Sequence, residues 1–414
     1  MIQRKYSTGE SSLSDVARAL SSEALNCINC GFCEAVCPTI PAFDYKTSMG
    51  ARGRINLAKE FLNGNHSLNF RDPFESCLDC YACFQVCPAH VNSGVVSELM
   101  KQAIAEGQIE DQKHQVAEMI TKLILKYKDP LGLKKELTEW SKGLEFENSY
   151  ETILYTGHMY QLMAYNKKLG EMLKSIGELY RFLTPLLSSL GNPSFIFSKF
   201  YDKKIKERSE SQLKNIYFLL KKAGIKFSYL GEEEPYPGTL MIDMGYVNEF
   251  KKYAQWVTDL FHKKGVKNII TVDPHTYDVL LNKYTKYVEG FDFNITFYLD
   301  HLNSLKLSRL GKKVTYHEPC HLVRHTDHNL PKGFIENTSD LVLPIHNGKN
   351  TYCCGGPIEA FYPKASEKIS DKRFKELKQT KAEIIITSCP ICFVNLYKDE
   401  SVMDISELLT KIVT

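Results

Sequence analysis

The sequence predicts an α+β multidomain chain: an all-helical N-terminal unit, then two pseudo-repeated α/β units, the first lacking the cysteines of the second. Three observations predict it. Two cysteine runs of identical spacing stand at 27–38 and 77–88, and five further cysteines fall in the C-terminal third as C-x32-CC-x34-C-x2-C. The stretch ahead of that second pattern repeats its layout without a thiol.

Composition sets the bounds. With 414 residues, 43% hydrophobic and 24% charged, the chain has ordinary globular content and room for two or three domains. Its 52 Lys+Arg against 49 Asp+Glu leave a net charge of +3, too balanced for a chain whose main partner is a nucleic acid. The opening MIQRKYSTGESSLSD has no apolar core of a signal peptide, and no run of about 18 apolar residues occurs. The expectation is a cytoplasmic protein, or one peripheral on the inner face of the cytoplasmic membrane. In such a setting, 13 cysteines read as metal ligation or redox chemistry before disulfides.

The helical unit, residues 1–145, is built on CINCGFCEAVCP and CLDCYACFQVCP, each C-x2-C-x2-C-x3-C-P. This run builds paired [4Fe–4S] cubanes, three thiolates capping one cubane and the fourth reaching the other. It assigns Cys27, Cys30, Cys33 and Cys87 to one cluster, and Cys77, Cys80, Cys83 and Cys37 to the second. Zinc is the competing reading, but zinc modules use paired knuckles and have no need of a third and fourth cysteine followed by Pro38 or Pro88. Between the runs, Ile55, Leu57, Ala58, Phe61 and Leu62 recur at helical spacing with Gly64 as a stop, and VNSGVVSELMKQAIAEG continues as another helix. The unit is therefore a helical two-cluster ferredoxin domain. Arg52 and Arg54 are expected to hold structure by hydrogen-bonding loop carbonyls, with tuning of a cluster's potential as the alternative.

In the last unit, residues 306–414, apolar β-branched runs lead into Cys320 and Cys389, and KASEKISDKRFKELKQTKA supplies a crossover helix. Strand, helix, strand places the loops at the carboxyl ends of parallel strands, where ligands collect. Cys320, Cys353, Cys354, Cys389 and Cys392 then converge. Zinc would use four thiolates; a fifth suits an iron–sulfur core, and Gly355 and Gly356 allow close backbone approach. Zinc, or a dithiol site without metal, stays open.

The middle unit, residues 150–305, mirrors it: 232–281 parallels 350–396, with Tyr236, Pro237, Asp273 and Thr276 at the ligand positions and His158 at that of Cys320. A lost site kept as scaffold competes with a mononuclear His/Asp metal site. This copy carries an insertion at about 160–205, in which Leu169, Met172, Leu173, Ile176, Leu179, Tyr180 and Leu183 follow helical spacing and 182–198 has no charge. Docking onto a membrane or an integral membrane subunit, and a helical hairpin packed on its own domain, are both open.

Together, the two ferredoxin runs, GARGRINL, YHEPCH, CCGGP and the closing DISELL resemble the CCG-domain iron–sulfur subunits: those of glycolate oxidase and anaerobic glycerol-3-phosphate dehydrogenase, and the catalytic subunit of heterodisulfide reductase. The resemblance implies a non-cubane [4Fe–4S] cluster on the five CCG cysteines beside the two cubanes. It implies an electron-transfer subunit between a flavoprotein dehydrogenase, of 2-hydroxy-acid or glycerol-3-phosphate type, and a quinone or membrane acceptor. No GxGxxG or GxxxxGK string is present, so no flavin or NAD site of its own is expected. The alternative it implies is catalysis on a disulfide or thiol at the CCG cluster, with His317, His321 or His325 delivering protons; the competing and commoner reading of such histidines is as hydrogen-bond donors to sulfur or as satisfied core residues. One departure bears on that: heterodisulfide reductases carry both repeats cysteine-complete, and here one has none.

Overall fold

A computed structural model describes residues 15–109, 114–176 and 197–414. Among the described residues, the N-terminal unit holds helices and no strand. The helix Ala51–Leu62 buries Ile55, Ala58 and Phe61, and Gly64 at φ 80° follows its end. Ser93–Ala105 begins at Asn92, whose side chain accepts the Gly94 N–H at 3.0 Å, and buries Val96, Met100, Ala103 and Ile104. These faces close on Val16 and Leu20 of Asp15–Ala24 and on Phe70 and Phe74. Removing each such side chain from water contributes about 1.5–3 kcal/mol, so this small helical core holds the two cysteine loops on its rim.

Two parallel sheets follow. β1 (Thr152–Tyr155), β2 (Asn268–Thr271) and β3 (Asn294–Phe297) lie in the order β1-β2-β3, with Ser228 bridged to Ile153 on the outer side of β1. β4 (Lys313–His317), β5 (Asp340–Leu341), β6 (Ile384–Thr387) and β7 (Val402–Asp404) lie in the order β5-β4-β6-β7. Each unit thus pairs a short returning segment with one side of its first strand and two later strands with the other. The strands read as continuous apolar runs because helices cover both faces. The helices Val247–Lys264 and Pro363–Gln379 run between strands of the respective sheets. Two apolar cores each draw on both units: one joins Phe250 and Phe261 to Ile385 and Phe393, the other Ile270 and Phe297 to Ile386 and Leu408.

Met159–Ile176 opens the insertion, and Lys203–Lys222 begins where it ends. Most of the charge-free elbow, for which docking and a packed hairpin are both open, lies outside the described residues. No described helix is long and apolar enough to cross a membrane.

Candidate metal centre

Both ferredoxin loops bend by the same device. The second residue after the first cysteine is left-handed in each (Asn29, φ 60°; Asp79, φ 47°), and so is the fourth (Gly31, φ 87°; Tyr81, φ 53°). Left-handed residues fold a chain tightly and turn successive N–H groups inward; the Asn29 N–H donates to Cys27 Sγ at 3.4 Å. Short helices, Phe32–Val36 and Ala82–Gln85, then carry the third cysteines. Burial pushes the Cys33 thiol up to about 12, and the neighbours adding to this include Cys27, Cys37 and Cys87. Burial likewise raises Cys77 to about 12 and Cys83 well above the ordinary range, with Cys80, Cys77 and Cys37 beside Cys83. Each fourth cysteine therefore has neighbours in the opposite run.

Arg54 is buried, donating to the Pro73 carbonyl at 2.5 Å, to the Ser76 and Thr39 hydroxyls, and towards Cys37 Sγ at 3.8 Å. The expected carbonyl contact holds for it. For Arg52 it does not: the guanidinium pairs with Glu34 at 2.9 Å, a charge-assisted contact stronger than a carbonyl offers.

At the CCG site, β4 delivers Cys320, which opens a π-turn over His321–His325, while Cys389 and Cys392 begin the helix Pro390–Leu396 after β6. Between them Gly355, at φ 87°, folds the Cys353–Cys354 loop back so that the N–H groups of Gly355 and Gly356 face Cys353 Sγ at 3.4 Å and Cys354 Sγ at 3.5 Å. All five thiols are buried. The sulfurs crowd together: the neighbouring Cys353 holds Cys320 well below the ordinary thiol range, and the neighbouring Cys353 and Cys392 do the same for Cys354. The same Cys353 contact lowers Cys80, of the second ferredoxin run, to about 7. The two cysteine sites therefore touch, through Cys80 and Cys353. A buried all-sulfur donor set, cradled by backbone N–H groups, fits iron and sulfide.

A polar seam runs beside this contact. Tyr81 stacks on His325 with ring centroids 4.1 Å apart, and its hydroxyl donates to Glu98, which also pairs with Lys283 at 2.6 Å. Asp278 Oδ2 lies 2.6 Å from His321 Nδ1 and 2.9 Å from His325 Nδ1. Asp278 belongs to the middle unit, where it ends Pro274–Asp278 ahead of a π-turn, Val279–Tyr284. Sequence reasoning missed it, since nothing in DPHTYD marks its last residue as facing a site elsewhere.

In the middle unit, Asp273 caps Pro274–Asp278, accepting the His275 and Thr276 N–H groups at 2.9 and 3.0 Å, and Tyr236 bonds to the Thr239 hydroxyl. A Cβ on Gly157 would stand 2.3 Å from Thr276 Oγ1 and 3.2 Å from Pro237, so side chains fill the space. His158 Nε2 lies 3.6 Å from Glu234 Oε1. Burial drives the two in opposite directions, His158 to about 3 and Glu234 to about 8, so both are neutral near pH 7. Among the described residues, the two groupings with metal-ligand geometry are His317–Cys354–Cys392 and Asp278–His321–His325, and neither includes His158 or Asp273. Between the α/β units lies a mainly apolar cavity of about 130 Å³, walled by Met159, Leu162 and Tyr236 on one side and Gly356, Phe361 and Ile391 on the other.

Comparison with known proteins agrees with this geometry. Residues 23–91 match the 4Fe-4S dicluster domain and 314–397 the CCG cysteine-rich domain. The chain thus carries a dicluster iron–sulfur domain and a CCG cysteine-rich domain. It is 23% identical over 407 residues to a subunit of the dihydromethanophenazine:CoB–CoM heterodisulfide reductase of Methanosarcina barkeri, covering 89% of this chain and 87% of that one. It is 29% identical over 220 residues to the EtfAB:quinone oxidoreductase of Syntrophomonas wolfei, 47% of this chain and 30% of that one. A solved structure of a hypothetical protein from Helicobacter pylori shares the fold at a TM-score of 0.50 and 13% identity, covering 88% of this chain and 67% of that one.

Proposed function

We propose that the chain is an electron-transfer subunit of a multisubunit oxidoreductase, relaying electrons between a flavoprotein dehydrogenase subunit and a quinone or membrane acceptor. The packing of Cys80 with Cys320 and Cys353 in one buried cluster carries this reading, because it sets a ferredoxin loop against the CCG loops. Cys27, Cys30, Cys33 and Cys87 would hold one cubane, Cys77, Cys80, Cys83 and Cys37 the second, and Cys320, Cys353, Cys354, Cys389 and Cys392 a third, non-cubane [4Fe–4S] cluster. Bound, such clusters supply one-electron carriage at potentials set by hydrogen bonds and burial. The residues themselves exclude water, aim N–H groups at sulfur and hold the loops together. The domains are read as 1–145, 150–305 and 306–414, and the middle one as a CCG copy that has lost its thiolates; its strand order, the left-handed Gly238 opposite Gly355, and Asp273 at the helix start opposite Cys389 support this. The protein is placed in the cytoplasm or on the inner face of the membrane, with the 2-hydroxy-acid and glycerol-3-phosphate dehydrogenases as partner classes.

A second reading, catalysis on a disulfide or thiol at the CCG cluster, is favoured by the apolar cavity beside Gly356 and Ile391 and by the length of the match to the Methanosarcina heterodisulfide reductase. Purification under anaerobic conditions tests the shared part: iron and acid-labile sulfide should each reach about twelve per chain, four for each cluster. A value near eight means that the C-terminal site holds no such cluster. Single-turnover oxidation of the reduced protein by a water-soluble quinone, against a small disulfide, separates the two readings.

A further inference from the structure

His317 closes β4 with its ring buried against the CCG thiols. Its Nδ1 lies 3.0 Å from Nε of Arg373, on the crossover helix Pro363–Gln379. A guanidinium donates and never accepts, so Nδ1 presents its lone pair. The ring proton is left on Nε2. That atom is buried and meets no oxygen or nitrogen acceptor among the described residues; Cys354 is the neighbour within reach of the ring, and a ring nitrogen of His317 and the sulfurs of Cys354 and Cys392 all lie within 4.8 Å of one another.

Arg373 cannot turn away to let the ring change state. It is fully buried, and its other nitrogens are committed: one to the His346 carbonyl at 2.9 Å and Glu376 at 2.8 Å, one to Thr351 Oγ1 at 3.2 Å. A proton on Nδ1 would set two donors face to face in a dry site.

We infer that Arg373 locks His317 in the Nε2–H tautomer, making it a fixed hydrogen-bond donor to the sulfurs of the CCG site and neither a metal ligand nor a proton source. A neutral histidine that binds metal through Nε2 must carry its proton on Nδ1 and give it to an acceptor, a carboxylate or carbonyl. Here Nδ1 faces a cation. The His317–Cys354–Cys392 grouping, whose donor types alone would suit zinc, is thereby excluded as a three-ligand metal site. Of the three histidines that the sequence offers as proton donors, His317 is removed. Arg373 is a positioning residue: it acts on sulfur only through the ring it fixes.

The inference rests on the iron–sulfur reading for its effect on the cluster, and not for the tautomer. Two measurements keep those apart. In full-length protein labelled with 15N-histidine, the His317 signal, assigned by its loss in His317→Gln, should show a protonated Nε2 and a bare Nδ1 whether or not the site is loaded. A protonated Nδ1 overturns the lock. In the loaded protein, pulsed EPR of the third cluster should show weak 15N coupling and one exchangeable proton, both lost in His317→Leu. Strong coupling, the mark of direct ligation, overturns the proposal, as does no coupling at all in a protein whose third cluster is present. Absence of that cluster's iron alongside the expected tautomer would instead sink the iron–sulfur reading of the site.

The reduction potential gives the functional readout. His317→Leu should lower the third cluster's potential while the two ferredoxin clusters keep theirs, and His317→Gln, which retains an N–H donor, should restore most of the shift. Equal potentials in wild type and His317→Leu would overturn the donor role. Arg373→Met frees the ring, and its His317 signal should then show a mixture of tautomers. Should that variant fail to fold, the wild-type label and the two His317 variants still decide.

Discussion

The Asp278 carboxylate, on the middle α/β unit, holds His321 of the C-terminal unit at 2.6 Å, one residue along from Cys320. The same oxygen accepts from His325, so one carboxylate braces the whole π-turn that follows the first CCG cysteine. The two histidines and their hydrogen bonds hold the Asp278 carboxyl well below its usual range despite burial. A unit without thiolates thus contributes to the site of its neighbour.

Asp278→Ala should lower the unfolding free energy by about 3 kcal/mol, because removing one partner of a buried charged pair leaves the other uncompensated. Denaturant titration at pH 7 measures it. A loss below about 1 kcal/mol would mean that the bracing is dispensable.

Much of this site was legible because its ligands are local in sequence. Three cysteines at spacings of three lie within one loop, so their spacing alone fixes their chemistry, and helical periodicity placed Ala51–Leu62 and Ser93–Ala105. What the sequence hid are pairings across units. Nothing in the sequence singles out Asp278, and Arg373 sits in a lysine-rich helix, yet it is fully buried against His317. Neither leaves a periodic trace, since packing between units follows no sequence spacing. Arg52 shows the opposite limit: its role went to Glu34 because the loop brought a carboxylate nearer than any carbonyl.

The fourth-cysteine crossover can be separated from the simpler in-run arrangement. Cys37 neighbours Cys83 and also takes the approach of Arg54 at 3.8 Å. Cys37→Ser should therefore damage the cluster of the 77–87 run and leave that of the 27–33 run largely intact. EPR and iron counts of the variant decide; loss confined to the first run would sink the assignment.

The His158–Glu234 pair makes a pH signature. Glu234 has its folded pKa raised to about 8, so the native state binds more protons above the unfolded value of 4.5, and stability falls as pH rises through that window. His158 is lowered to about 3 from 6.5, so the unfolded state binds more protons there, and stability falls as pH drops through that window. The two slopes oppose each other between 4.5 and 6.5. Above 6.5 only Glu234 of the pair still titrates, at about 1 kcal/mol per pH unit, and Glu75, which burial raises to about 8, and Glu359 and Asp404, which burial raises to about 7, slope the same way. Unfolding midpoints across pH 5–9 should decline above about 6.5 in the wild type, and in Glu234→Gln, which keeps an acceptor for Thr156, that decline should become shallower by Glu234's share. An unchanged alkaline limb would assign it to other groups.

Two glycines compare the α/β units directly. Gly238 and Gly355 have φ of 84° and 87°, a conformation that costs an alanine about 1–2 kcal/mol. Their surroundings differ. A Cβ on Gly238 would meet ring carbons of Phe250 at 3.0 Å, which a side chain can absorb by tilting. On Gly355 it would meet the Ser366 backbone oxygen at 2.7 Å and Ile369 at 3.1 Å, both on the crossover helix Pro363–Gln379, so the Cys353–Cys354 loop must move instead. Gly238→Ala should thus cost about 1–2 kcal/mol and leave the iron count alone, whereas Gly355→Ala should also lose about four irons of twelve while the ferredoxin signals persist. Iron analysis of the two purified variants checks this. Iron loss in Gly238→Ala would show that the middle unit's loop, and not Asp278 alone, helps to hold the neighbouring site; full iron in Gly355→Ala would show that the Cys353–Cys354 loop can shift without releasing its ligands.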